Sequence, residues 1–162
     1  MMNAAGPSQG ASPLPARPGK QVDWVARGRE HQWQSRPIHA LFCFTRAIAE
    51  RPAHADARFH LGEVLWQLGL TGEAKAAWRE ATIVAPKRLA SWLALTEACL
   101  ASGDAAAASA AIDAALALEP GNPPARTLRL LTSAALGDEK ADWRAFAEAV
   151  RADPGLVAAP AR

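Results

Sequence analysis

A 34-residue period governs this chain. Pro52, Pro86, Pro120 and Pro154 recur at that interval, and Ala47, Ala81, Ala115 and Ala149 recur with them, each five residues ahead of its proline. Eight residues ahead of the same prolines stand Phe44, Trp78, Ile112 and Phe146, one bulky apolar side chain per unit. Four residues earlier come Ala40, Ala74 and Ala108, with Asp142 breaking the series in the last unit. Small residues at steps of three or four around a large one make a helical stripe that a neighbouring helix can approach closely. Each unit therefore reads as two antiparallel helices ended by a proline, which cannot continue a helix interior.

The punctuation agrees. Ser35 and Pro37 mark the opening of the second helix in the first unit, and Gly69, Gly103 and Gly137 fall at the inner turns of the next three. Asp104 and Asp138 then sit where caps of the following helices belong. Units of this kind bury their apolar faces only against neighbouring units, so the expected fold is an all-α solenoid of about four hairpins spanning 21–154, with units 21–54, 55–88, 89–122 and 123–154. Ahead of them, residues 1–20 carry Pro7, Pro13, Pro15 and Pro18 among Gly, Ser and Ala. Such a segment buries too little apolar surface to offset its ordering entropy and reads as a disordered tail. Residues 155–162 read as a second short tail.

In the first helices, Trp24 and Gly28, then Leu61, Gly62 and Leu65, then Trp92 and Leu95 complete a pattern of W-x2-L-G-x2-Y, A-x3-F and P. From Gln21 to Pro154 the chain resembles the tetratricopeptide repeat. The resemblance implies a right-handed superhelix and an inner surface, lined by the first helices, on which ligands bind. The fourth unit departs from the pattern, with Arg126 and Arg129 in the places of Trp and Leu, Leu130 for Gly and Asp142 for Ala. Either its first helix is rotated or it is a divergent end repeat.

Charge and cysteine usage exclude several functions. The 18 basic residues exceed the 16 acidic ones only through Arg17 and Lys20 in the leading tail. No concentrated basic face is left to neutralise phosphates, so nucleic acid is not an expected partner. The most apolar stretch, 105–118, is short, Ala-rich and broken by Asp113, and no basic segment followed by an apolar run opens the chain. Neither a membrane span nor export is expected, and the cytoplasm is the expected location. Cys43 and Cys99 are far apart, without a C-x-x-C or a Cys/His cluster, and so indicate neither a disulfide framework nor a zinc site.

Catalytic motifs are missing too. His31 and His39 fall on different helices, His54 and His60 are six residues apart, and none of the four shows an acidic or cysteine partner at ligand spacing. Gly-x-Ser-x-Gly, a P-loop and H-E-x-x-H are absent. The expectation is a non-enzyme without cofactor or metal.

Helical spacing selects the inner surface as Val25, Arg29 and Trp33 in the first unit, Phe59, Glu63 and Trp66 in the second, and Leu93, Glu97 and Leu100 in the third. That makes a mainly apolar groove, suited to a peptide or partner segment with apolar anchors. Chaperone-binding members of the family hold terminal carboxylates with Lys, Asn and Arg at these places. Here Arg29 is the one base, while Glu63 and Glu97 would repel a carboxylate, so that role is not expected. After Pro154 the chain is short for a capping helix, which leaves Trp143, Phe146 and Val150 as an end face able to support self-association. In some relatives such repeats precede a glycosyltransferase domain, so the alternative is an accessory or N-terminal targeting domain of a larger enzyme.

Overall fold

The alanine stripes and the single large side chain of each unit close together into stacked hairpins. The computed structural model describes residues 22–137 together with Ala147 and Arg151. Seven helices occur among them: α1 (Trp24–Trp33), α2 (Pro37–Glu50), α3 (Ala55–Gln67), α4 (Thr71–Val84), α5 (Leu89–Ala101), α6 (Ala105–Leu118) and α7 (Pro123–Ala135). No strand occurs among the described residues. Each helix packs on its successor, α1 also touches α3, and α5 touches α7. The result is an all-α repeat solenoid with the first helices of the hairpins side by side.

Its core is the sequence stripe. Ala40, Ala74 and Ala108 are fully buried, and so are Phe44 and Ile112, while Trp78 keeps only 3% of its surface exposed. Trp78 gathers Leu95, Ala98, Cys99, Ala108 and Ala111 of the following hairpin around itself. Ile112 does the same with Ala125 and Leu128 of α7. Consecutive hairpins thus share core clusters, which is how a unit too small for its own core becomes stable. Among the described residues no helix is long and apolar enough to cross a membrane.

Caps set the helix starts. Asp23, Asp104 and Asn122 accept hydrogen bonds from the backbone N–H groups of Ala26, Ala107 and Ala125, satisfying donors that have no partner inside the helix. Pro37 and Pro123 occupy first-turn positions, where a missing N–H costs nothing. At the inner turns Gly69, Gly103 and Gly137 adopt left-handed φ angles of 76°, 72° and 71°. Ser35 differs from the role its sequence suggests. It takes the same left-handed turn position, at φ 55°, and Arg36 is the residue at the N-cap of α2, with no side-chain cap hydrogen bond. A side chain there costs about 1 kcal/mol relative to the glycine used in the other turns. The proposed cap Asp138 lies outside the described residues.

Candidate functional site

The face formed by α1, α3 and α5 is anchored from beneath. Val25 packs on Ala40, Phe44 and Val64. Phe59, Trp66 and Leu100 pack on the cluster around Trp78, and Leu93 packs on the cluster around Ile112. All five are half-buried, so each both supports the core and turns an edge outward. Trp33 stands apart from them at 91% exposed, beside a depression of about 580 Å³ formed with Ala26, Arg29, Glu30 and Gln32.

Gln32 is the residue that spacing arguments missed. Its Nε2 donates to Glu63 Oε2 at 3.4 Å, bridging the first hairpin to the second. The signal was present in the period, since Gln32, Trp66 and Leu100 follow one another at 34 residues whereas Trp33 falls one position later.

His60 corrects another expectation. It has an acidic partner after all, because Nδ1 lies 2.7 Å from Glu63 Oε2, one helical turn along α3. The His60 ring is stacked on Phe44, with centroids 5.5 Å apart, and meets Phe59 edge-on at 5.4 Å. Arg88 adds a cation that the stripe did not include. Its guanidinium pairs with Asp56 and lies 4.3 Å from the centre of the Phe59 ring, covering part of that anchor.

The two acids of the face have opposite electrostatics. Burial by itself would push the Glu63 carboxyl up, but hydrogen bonds from His60 and Gln32 and the charges of His60 and Arg88 outweigh it and hold the group below the ordinary range. Glu97 remains exposed at its edge, yet the surrounding protein pushes its carboxyl up, and among the described residues it has no ion-pair partner. The signs of the stability effects follow from linkage. A lowered carboxyl adds stability above its unfolded value that is lost as pH falls, while a raised one subtracts stability as pH rises past its unfolded value. Glu63→Gln should therefore lower the melting temperature at neutral pH, and Glu97→Gln should raise it. Both differences should fade below about pH 4, near the ordinary glutamate value. Melting curves across pH check this, and a Glu97→Gln protein less stable than the parent at pH 7 would contradict it.

Other chemistry is sparse. Among the described residues no three His, Cys, Asp or Glu side chains stand together as a metal site. Cys43 and Cys99 are buried free thiols pushed up by burial, partly opposed by Arg27 at the first and by Lys75 and Arg79 at the second. Raised thiols are poor nucleophiles at neutral pH. In α7, Arg129 pairs with Asp113 of α6, which accounts for a base in an apolar consensus place. Trp143, Phe146 and Val150 lie outside the described residues.

Residues 89–133, which form α5, α6 and most of α7, match the family model described as "Tetratricopeptide repeat". This stretch is a tetratricopeptide repeat. Solved structures carry the same fold. This repeat protein is similar to the second TPR domain of human RPAP3, solved in complex with an HSP70 peptide, with a TM-score of 0.64 and 22% identity over 68% of this chain and 92% of that one. It is also similar to YrrB, described as a TPR protein with an unusual peptide-binding site, with a TM-score of 0.71 and 18% identity over 82% of this chain and 68% of that one. A third likeness is to the O-GlcNAc transferase of Thermobaculum terrenum, with a TM-score of 0.66 and 21% identity over 81% of this chain and 26% of that one. At these identities the likeness is one of fold. No curated protein matches the sequence.

Proposed function

We propose that this repeat protein is a non-catalytic interaction module that holds a peptide or partner segment across the faces of α1, α3 and α5. The observation that carries the reading is Glu97. Its carboxyl has no cationic partner among the described residues, and on α5 it stands between Leu93 and Leu100, one turn away on either side. A ligand that lays apolar side chains along the edges of Trp66, Leu93 and Leu100 and brings a Lys or Arg to Glu97 satisfies both features. Burial of the anchors supplies affinity, and the charge sets orientation.

Acidic chain termini fit poorly on the same face. Glu63 and Glu97 occupy it, and Arg88 is already committed to Asp56. The fold shared with a domain that binds an HSP70 peptide does not carry those charges with it.

A peptide array followed by calorimetry tests the reading. Trp66→Ala should weaken binding by about 2 kcal/mol, the loss of a true anchor. Because Trp66 also rests against Trp78, at a ring separation of 5.7 Å, its variant needs a melting curve beside the titration. Glu97→Lys, at an exposed position, should reverse the preference for basic peptides with the fold intact. A preference for acidic carboxyl-terminal peptides, or indifference to both substitutions, would place the ligand elsewhere.

The fold shared with the O-GlcNAc transferase favours a second reading, in which the chain is an accessory or N-terminal targeting domain of a larger enzyme such as a glycosyltransferase. The reading frame downstream of its coding sequence separates the two.

A further inference from the structure

We infer that the outer face of the first hairpin, centred on Ile38 and Phe42, is a second docking surface, separate from the face of α1, α3 and α5, and that it receives an acidic segment of another protein bearing large apolar side chains. Ile38 and Phe42 lie one turn apart on α2 and are 64% and 58% exposed. The matching places on α4 are Gly72 and Ala76, and on α6 Ala106 and Ala110, all of them exposed. In the three described hairpins these positions face solvent, and of those three only the first fills them with large side chains.

The surface has shape as well as composition. Trp24 meets Phe42 edge-on, with centroids 6.0 Å apart, and His31 of α1 lies 5.2 Å from His39 of α2. Together with Arg27 and Ile38 these residues border a depression of about 350 Å³, large enough to hold apolar side chains. A contiguous apolar patch with a polar rim differs in kind from a single exposed aliphatic residue.

The charges select the occupant. The depression is bordered by the Arg27 guanidinium, which lies 5.8 Å from the centre of the Trp24 ring, and by no acid. The neighbouring acids are engaged. Glu50 accepts from Trp24 Nε1 at 2.7 Å and faces Arg46 at 3.9 Å, and Asp23 caps the Ala26 N–H. Residues 1–20 carry Arg17 and Lys20 and no acid, so the chain's own leading segment lacks the charge that would complement Arg27. A second copy docking through the same patch would set Arg27 against its own counterpart.

Two labelled amphipathic peptides test the inference, with identical Leu and Phe anchors separated by Glu in one and by Lys in the other. By fluorescence anisotropy Ile38→Asp combined with Phe42→Asp should weaken binding of the Glu peptide about tenfold or more and leave binding of the Lys peptide, the kind of ligand proposed for the groove, unchanged. Arg27→Glu keeps the apolar patch and should weaken the Glu peptide while leaving the melting curve near that of the parent, which separates recognition from any loss of folding. Glu-peptide binding that survives both sets of substitutions, or loss of both peptides alike with Ile38→Asp and Phe42→Asp, overturns the proposal. So does self-association abolished by Phe42→Asp, or peptide binding that appears only after residues 1–20 are removed.

Discussion

Trp78→Ala should destabilise the protein by about 4 kcal/mol, the range for an aromatic ring removed from a packed core. The indole is nearly inaccessible and joins two hairpins, packing on Ala74 within its own helix and on Leu95, Ala98 and Ala108 of the next unit. Its Nε1 donates to the Phe59 carbonyl at 3.1 Å, a hydrogen bond between the two helices of the hairpin that truncation also removes. A solenoid has only nearest-neighbour contacts, and nothing distant compensates for a cavity between the second and third hairpins. Since whole domains are stable by roughly 5–15 kcal/mol, the urea midpoint should fall by a large fraction of its value. Ile83→Ala is the control, because Ile83 is 73% exposed on α4 and should change stability by no more than about 0.5 kcal/mol. Similar effects from the two substitutions would mean that Trp78 does not join the hairpins.

Gly62→Val should cost about 3 kcal/mol, although valine is the better helix former by a few tenths. A Cβ on Gly62 would lie 2.4 Å from Trp78 Nε1 and 2.6 Å from Cδ1, and the same relation recurs in the first hairpin, where a Cβ on Gly28 would lie 2.5 Å from Phe44 Cε1. Steric overlap with a ring held on all sides outweighs the gain in propensity. The third hairpin shows the alternative solution, since buried Thr96 and Ile112 occupy the corresponding places. An aliphatic side chain leaves room where an indole does not. Gly62→Ala should accordingly be less harmful in a Trp78→Ile background than in the parent, by about 1 kcal/mol of coupling between touching residues. Additive effects would show that the glycine is not there for the ring.

The hairpins, the alanine stripe and the glycine turns were legible before any coordinates, because every unit meets the same neighbours and so repeats the same short-range pattern. Phe44, Trp78 and Ile112 could be assigned to the core from their interval alone. The left-handed turn at Ser35 was also encoded by that interval, one unit before Gly69, but the neighbouring Pro37 suggested a helix start instead. The inner face was only partly legible. Spacing brought Phe59, Trp66 and Leu93 to one side of their helices, while only packing decided that each is half-buried and offers an edge.

Charged side chains were the least legible. Gln32 reaches Glu63, Arg88 pairs with Asp56 and crosses Phe59, and Arg58 reaches Glu80, all between residues more than twenty positions apart. Long polar side chains have many rotamers, and which partner they meet depends on the spacing and angle between helices that only the assembled solenoid fixes. Period and composition determined the all-α repeat, because backbone helicity and small-to-large packing are set within each unit and its neighbour. Tertiary structure decided which groups on its surfaces remain free to meet a partner, because that depends on what the folded chain has already paired.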